Sequence, residues 1–193
     1  VILRSRDGGK TWKEQPQVNV PRLLNIFAFD EWTAVAVGQG GTILRTTDGG
    51  STWTALAEVT ARDLHDISFG DAEHGWAVGY EGAVISTSDG GVTWTEQPKF
   101  TSRTLESVSF IDAQQGWAVG GAGVIFMTSD GGQTWNEQKS PVAYPLRSVH
   151  FVDKDKGCIV GNQQTLLCTT TGGKTWEQPI SGSNIVLWDV TGS

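Results

Sequence analysis

One tryptophan recurs at a fixed spacing through this chain and constrains its fold more than any other feature. Each copy ends an eight-residue box, and the boxes read SRDGGKTW, TTDGGSTW, TSDGGVTW, TSDGGQTW and TTTGGKTW. The tryptophans are Trp12, Trp53, Trp94, Trp135 and Trp176, and each lies 41 residues after the one before it. A period of about 40 residues in a glycine-rich pattern without helical periodicity is typical of a β-propeller blade.

Within one repeat the pattern predicts four strands, which we denote A to D. The alternation in LHDISF predicts strand A at 64–69, and the GWAVG segment predicts strand B at 76–79. A short hairpin loop at 80–82 leads to strand C at 83–87, and the glycine pair of the box leads to strand D at 93–97. No segment has the period or the length of a helix.

The two ends of the chain fall at different places in the repeat. Residues 1–4 match 42–45, so the chain starts in strand C, and residues 187–190 match 146–149, so it finishes in strand A. We therefore predict an all-β fold: a single domain over 1–193 that forms a closed propeller of four-stranded antiparallel blades. Five blades are expected, the last a composite of the two ends that lacks strand B. A piece of a larger ring, or a blade completed by another copy, is the alternative.

The box itself has a mechanical explanation. We expect each box aspartate to accept backbone N–H groups two residues on, while the glycine pair supplies positive φ and the tryptophan packs into the seam between blades. Burying about 200 Å² of indole contributes at most about 5 kcal/mol, against about 1–2 kcal/mol for the aspartate bond. Thr171 replaces the aspartate in the fifth box and predicts a weaker turn. The residues given this structural role are Asp7, Trp12, Asp48, Trp53, Asp89, Trp94, Asp130, Trp135 and Trp176.

Two cysteines flank one predicted hairpin turn. Cys158 and Cys168 are equidistant from Gln163, so simple pairing places them opposite each other. This arrangement is compatible with a disulfide and an oxidising compartment. We favour the alternative of two buried free thiols, because Cys158 stands where other repeats carry Trp76 or Trp117.

The motif S/T-x-D-G-G-x-T-W is the Asp-box, or BNR, repeat. Its combination with GWAVG and L-x-x-[IV]-x-F resembles the photosystem II assembly and stability factor family over essentially the whole chain. The resemblance implies a chaperone-like scaffold without catalytic activity that binds a membrane-protein precursor on the lumenal or periplasmic side. It also implies that an arginine-rich patch contacts the partner.

Candidate binding residues lie where strand A begins and where strands B and C are joined. Arg62 and Arg103 share one repeat position, with Arg22 and Arg147 slightly out of phase, and together they could form a carboxylate-binding patch. Isolated arginines, or salt bridges to neighbours such as Asp63, Asp66 and Glu106, are the competing interpretation. The strand B–C loops carry Gln39, Tyr80, Glu81, Asn162, Gln163 and Gln164, whose amides and one tyrosine could contact a partner or stack on a sugar; ordinary hairpin tips are the alternative.

Other functions are less compatible with the sequence. A net charge of −7 argues against a nucleic-acid partner, and no apolar run is long enough to span a membrane. His65, His74 and His150 do not recur in phase and show no metal-ligand spacing, so no metal or cofactor is expected. We expect no catalysis, because the even spacing leaves no long loop to build a cleft.

The expected function is that of a non-catalytic scaffold that binds a protein segment, either an acidic segment or the tail of a membrane protein. The expected state is a monomer. The alternatives are an amplified or engineered repeat without a selected ligand and a glycan-binding module.

Overall fold

In the computed structural model, which describes residues 1–15, 19–178 and 187–190, each repeat forms an antiparallel sheet whose strands pair in chain order. The four-stranded sheets are β3 (Leu23–Ala28), β4 (Ala34–Gly38), β5 (Ile43–Thr46) and β6 (Thr54–Ala55); β7 (Leu64–Phe69), β8 (Gly75–Gly79), β9 (Val84–Thr87) and β10 (Thr95–Glu96); and β11 (Leu105–Phe110), β12 (Gly116–Gly120), β13 (Ile125–Thr128) and β14 (Asn136–Gln138). A further sheet holds β15 (Leu146–Phe151), β16 (Gly157–Gly161) and β17 (Leu166–Thr169), and the hairpin β1 (Leu3–Arg4) and β2 (Lys13–Glu14) precedes them all.

The predicted blade agrees closely with the observed one. Strand A of the second complete blade spans Leu64–Phe69 as predicted, strand B begins one residue earlier at Gly75, and strand D shortens to Thr95–Glu96. A single 3₁₀ turn at Tyr80–Gly82 replaces a plain hairpin loop. The all-β fold of four-stranded antiparallel sheets is confirmed, whereas five-fold closure and the single domain over 1–193 stay predictions.

Residues 187–190 lie beside the last sheet. The Leu187 amide donates to the Gly161 carbonyl at 3.1 Å, and the Val190 amide donates to the Ser148 hydroxyl at 3.3 Å. This is the position where strand A of a following blade is expected.

Apolar packing across the seams joins the blades. Strand B of one blade packs against strand A of the next: Val35 and Val37 lie in one cluster with Ile67 and Phe69. In the next seam the indole of Trp76 stacks on the Phe110 ring with centroids 3.5 Å apart. Trp117 stacks in the same way on Phe151, at 3.6 Å. Aromatic side chains carry large buried areas, so these seams hold the blades in fixed relative positions.

Polar side chains of strand A link the blades a second time, at positions 41 residues apart. The Asp66 carboxylate accepts from the Asn25 amide at 2.6 Å and from the Val108 amide at 2.8 Å. Ser107 accepts from the Val149 amide at 3.2 Å in the following seam. Burial raises the pKa of Asp66 above its ordinary value, and the nearby charge of Asp189 raises it further.

The hydrogen bonds of the box correct one detail of its predicted turn. The Asp89 carboxylate accepts from the amides of Val92 and Thr93, three and four residues on rather than two, and from the Thr93 hydroxyl. The hydroxyl of Thr87 donates to the same carboxylate and accepts from the Gly91 amide. In the fifth box the Thr171 hydroxyl accepts from the Thr175 amide at 3.0 Å. It also bonds the hydroxyls of Thr175 at 2.9 Å and of Thr169 at 3.2 Å, so an uncharged side chain keeps these box partners.

The two cysteines form a disulfide. Cys158 of β16 and Cys168 of β17 are direct cross-strand partners with Cα atoms 4.2 Å apart, and their sulfurs are bonded. The prediction of two free thiols is wrong, because the hairpin pairs these positions as closely as a disulfide requires.

The exposure of the box tryptophans predicts which of them stabilises the fold. Trp94 is 7% exposed and packs on Phe69, whereas Trp12 is 60% exposed. We expect Trp94→Ala to lower the free energy of unfolding by about 3–5 kcal/mol, because it leaves a cavity in a seam. Trp12→Ala should change it by about 0.5 kcal/mol or less. Urea denaturation measures both, and equal losses would contradict the seam explanation.

Acid should weaken the boxes in a defined pH range. Hydrogen bonds from Thr93 lower the pKa of Asp89 from 3.8 to about 2. Because the pKa of Asp89 is lowered in the folded state, its ionised carboxylate stabilises the fold at pH values above the unfolded pKa. This contribution is lost as the pH falls from about 4 to about 2. We therefore expect Asp89→Asn to be less stable than the parent at pH 7, with a gap that closes near pH 2. A gap that is the same at both pH values would show that ionisation of Asp89 is irrelevant.

Candidate partner-binding face

The two ends of each blade carry different sets of loops. The amide that follows strand B donates to the backbone just before strand A, as from Tyr80 to Asp63 at 2.9 Å and from Asn162 to Pro145 at 2.9 Å. The B–C turns and the starts of strand A therefore share one face, which we call the loop face. The Asp-boxes bond instead to the A–B turns, as from the Gly90 amide to the Glu73 carbonyl at 2.9 Å, and so lie at the opposite end.

The second residue of strand A forms a row across three seams on the loop face. His65, Glu106, Arg147 and Trp188 are successive members, each 41 residues apart. Nδ1 of His65 lies 3.4 Å from Oε2 of Glu106, and Nη1 of Arg147 lies 2.9 Å from Oε1 of the same carboxylate. The Arg147 guanidinium carbon is 5.2 Å from the centroid of the Trp188 ring, within the range of a cation–π contact. We call these four side chains the strand A row.

Arg147 is held from three sides. Its Nη1 donates to Glu106, its Nε donates to the Asn162 side-chain oxygen at 3.0 Å, and its guanidinium carbon lies over the Trp188 ring. About a quarter of the side chain is exposed, at 24%. A guanidinium fixed in this way is oriented before any ligand arrives, so less side-chain entropy is lost on binding.

The row shifts the ionisation of its members in opposite directions. The Glu106 carboxylate raises the pKa of His65 above its ordinary value, although partial burial opposes the rise. His65, and then the charge of Arg147, lower the pKa of Glu106. Opposite charges at this separation favour both charged forms, so the cluster is ionised over a wider pH range than its separate groups would be.

The four arginines of the predicted patch have different surroundings in the structure. All four arginines lie on the loop face, but Arg62 pairs with Glu81 at 3.5 Å and with Glu96 at 3.2 Å. Arg22 and Arg103 are exposed. Salt bridges therefore engage Arg62 and Arg147, as the competing interpretation expected, although Arg62 selects Glu81 and Glu96 rather than Asp63 or Asp66.

The B–C turns present residues of different accessibility. Tyr80 is 51% exposed and Gln39 is exposed, whereas the Asn162 side chain is engaged with Arg147 and Gln164 is buried. Glu81 and Gln163 have φ of 54°, in the left-handed region that favours glycine. Of the predicted loop residues, Gln39, Tyr80, Glu81 and Gln163 are exposed, and Glu81 is paired with Arg62.

His65 and Trp188 were not among the partner-binding residues predicted from the sequence. Their signal was present in the 41-residue spacing that they share with Arg147. It was missed because the residue type changes at every step of the row, so no motif recurs. Within the described ranges, no group of three His, Cys, Asp or Glu side chains is placed to hold a metal ion. None of the helices in the part of the chain described here is long and apolar enough to cross a membrane.

Glu106→Gln tests the charge coupling within the row. We expect the pKa of His65 to fall in this variant, because the raising charge is removed while burial remains. Because the pKa of His65 is raised in the folded state, protonation of His65 stabilises the fold at pH values below its unfolded pKa of about 6.5. This contribution is lost as the pH rises through the folded pKa. The pKa is read by NMR titration of the His65 ring. Glu96→Gln, which removes a partner of Arg62 instead, should leave it unchanged, and a shift of equal size in both variants would contradict the coupling.

Sequence comparison identifies one family. A family model described as photosynthesis system II assembly factor YCF48 matches residues 55–145 and 134–184, more than half of the 193 residues. A second model, the BNR/Asp-box repeat, matches residues 3–14. No curated protein sequence matches the chain.

Solved structures agree with this family. YCF48 bound to D1 peptide is 29% identical, with 60% of this chain and 40% of that chain covered and a TM-score of 0.55. YCF48 from Cyanidioschyzon merolae is 22% identical over 96% of this chain and 66% of that one, with a TM-score of 0.75. An ancestral GH74 enzyme is 14% identical over 85% and 24%, with a TM-score of 0.69. The last two show the fold alone and confirm the propeller, and the chain spans at most 66% of any of these proteins. The alternatives of a glycan-binding module and of a repeat without a selected ligand receive no support from the family match.

Proposed function

The chain belongs to the photosystem II assembly factor YCF48 family, and on that premise we propose that it is a non-catalytic scaffold whose loop face binds a segment of a partner polypeptide. A relative that is 29% identical binds a D1 peptide. By that likeness the partner of this chain is a D1-type segment of a membrane protein.

The single observation that carries the proposal is the fixed guanidinium of Arg147. It lies on the loop face between Glu106, Asn162 and Trp188. A carboxylate on the partner segment can approach the guanidinium, because an arginine pairs well with carboxylates through parallel N–H bonds. Glu106 then serves as an internal carboxylate that keeps the guanidinium oriented while the site is empty.

Trp188 beside Arg147, and exposed side chains elsewhere on the loop face, can contribute the rest of the contact. Arg22 and Arg103 supply further positive charge, and Trp188 and Tyr80, which are 67% and 51% exposed, supply apolar area. Aromatic and arginine side chains are the usual anchors of protein–protein contacts. The positive charges stand out within a chain of net charge −7, so we expect them to steer an acidic segment to this face.

The same features support binding without catalysis. The charged members of the row are engaged with one another, and Glu106 with its lowered pKa is poorly suited to act as a proton donor near neutral pH. Likeness to the GH74 enzyme, at 14% identity, is a likeness of fold.

Binding of a fluorescently labelled D1 peptide tests the proposal. We expect Arg147→Glu to weaken binding about tenfold or more, because it replaces a charge-assisted bond by repulsion. Arg22→Glu and Arg103→Glu should each weaken it less, and added salt should reduce their effects. The dissociation constants are read by fluorescence anisotropy.

Lys174→Glu is the matched control, since it makes the same charge change at an exposed residue of the box on the opposite face. It should leave binding unchanged. Equal weakening by Lys174→Glu and Arg147→Glu would mean that only net charge matters. Failure of the unmodified chain to bind the peptide would remove the proposal.

A further inference from the structure

A polar cleft lies at the Asp-box end of the molecule, in the seam between the second and third complete blades. Ser86 and Gln97, from strands C and D of the second blade, line one wall. The A–B turn and the box of the third blade line the other wall with Ala113, Gln114 and Asp130. The cleft measures about 440 Å³, which is the size of a small-molecule site. Both blades are complete four-stranded sheets, so the cleft belongs to this seam itself.

In the preceding seam an arginine of this chain occupies the equivalent position. Arg45 of strand C donates its Nε to the carbonyl of Gly90, the first glycine of the next box, at 3.2 Å. Arg4 is the equivalent of Arg45 one repeat earlier. It donates to the carbonyl of Gly49 and, through Nη2, to the Glu31 carbonyl of the A–B turn at 2.6 Å. The box and the A–B turn thus bind a guanidinium group twice within this chain.

Ser86 stands at the position of Arg45 and leaves room in the seam. Its cross-strand partner is Trp76, whose indole N–H donates to the Gly131 carbonyl at 3.0 Å. In the next seam a tryptophan is again present, but the residue paired with it is the longer Met127, which packs against the apolar cluster of that seam. The pairing of tryptophan with serine therefore leaves a space that arginine or methionine occupies in the other seams.

Gln97 of strand D does not close this space. Its Nε2 donates to the Ser86 hydroxyl at 2.6 Å, which holds the side chain beside its own strand C. The equivalent residue of the next blade, Gln138, reaches across the seam instead, with its Nε2 3.5 Å from the Gly172 carbonyl.

The charge of the lining favours a cationic ligand. No lysine or arginine of the described residues lines the cleft, and Asp130 is the one carboxylate among them that does. Hydrogen bonds from Thr134 lower the pKa of Asp130, so this carboxylate is ionised at neutral pH. His74 also lines the cleft, and its Nδ1 is paired with the Asp71 carboxylate at 3.0 Å.

Hydrogen-bond acceptors for such a ligand come from both parts of the third blade. A carboxylate offers about four lone-pair sites. In Asp130 the Thr128 hydroxyl and the amide and hydroxyl of Thr134 use three of them, and one remains. Ala113 lines the cleft at the repeat position of Glu31, whose carbonyl accepts from Arg4.

We propose that this cleft binds a guanidinium group, such as that of an arginine side chain, at the position that Arg45 occupies one seam earlier. The group donates to the Asp130 carboxylate and to the Ala113 carbonyl. A guanidinium is preferred over an ammonium group, because its planar fork of N–H donors serves two acceptors at once. The cleft lies at the box end, opposite the loop face, so it is separate from the proposed D1-type site.

NMR titration with Nα-acetyl-arginine amide tests the cleft. We expect the indole N–H signal of Trp76 to shift saturably, with a dissociation constant on the order of 1 mM. The indole of Trp117 is the internal control, because it makes the equivalent bond to Gly172 beside Met127 and should not shift. Nα-acetyl-lysine amide should bind about threefold more weakly or less, since it lacks the planar fork.

Ser86→Met fills the cleft with a pair that the fold already accepts, because Trp117 and Met127 are paired in this way in the next blade. It should weaken binding about tenfold or more. Ser86→Ala is the matched control, since it removes the hydroxyl while the space stays open, and it should bind within about twofold of the parent. Circular dichroism melts verify that both variants are folded.

A pentapeptide, Gly-Ser-Arg-Ser-Gly, identifies the source of the group. Tighter binding than that of the arginine derivative would assign the cleft to an arginine within a polypeptide, and equal binding would assign it to the guanidinium group alone. The proposal is overturned if neither probe shifts the Trp76 signal saturably, if Ser86→Met binds like the parent, or if the lysine derivative binds as well as the arginine derivative. D1 peptide binding at the loop face is measured separately and bears on none of these outcomes.

Discussion

Contact between strand B of one blade and strand A of the next is the interaction on which this structure depends. Each sheet has two apolar faces, and neither is covered within its own repeat. The stacked pairs Trp76–Phe110 and Trp117–Phe151 show how completely the seams close where both partners exist. Ile26 shows the contrary case: it is 49% exposed, and no strand B packs against it within residues 1–15, 19–178 and 187–190. Burial in this fold is therefore a property of neighbouring repeats and not of single ones.

Much of the fold could be predicted from the sequence because strands and turns are local. The alternation in LHDISF located Leu64–Phe69 to the residue, and the box glycines fixed the turn before strand D. Finer features depended on geometry that no pattern encodes. The box carboxylate of Asp89 reaches N–H groups three and four residues on, and the close approach of Cys158 and Cys168 decides for a disulfide. Strand D is shorter than predicted, although the Gln97 amide beyond it still donates to the Val84 carbonyl at 2.8 Å.

The candidate site was less predictable because its members come from different blades. Arg147 was expected on the loop face, but its partners Glu106 and Trp188 come from neighbouring repeats. Their proximity follows only once strand A of each blade is set beside strand A of the next. The arginines also do not form one patch, because carboxylates engage two of them: Glu81 and Glu96 pair with Arg62, and Glu106 pairs with Arg147.

The first glycine carbonyl of a box accepts either an indole N–H, as from Trp76 to Gly131 at 3.0 Å, or a guanidinium N–H, as from Arg45 to Gly90 at 3.2 Å. This choice has a consequence for how such repeats diverge. At the directly paired positions of strands B and C, the successive blades carry Val35 with Arg45, Trp76 with Ser86, Trp117 with Met127, and Cys158 with Cys168. In the first three pairs, exchanging one member alone would leave the carbonyl without its donor, or would supply two donors for one acceptor. The unit of drift is then the cross-strand pair, and mutations within it are epistatic while those at other paired positions can accumulate singly. A propeller can diversify its blades in this way while its period stays at 41 residues.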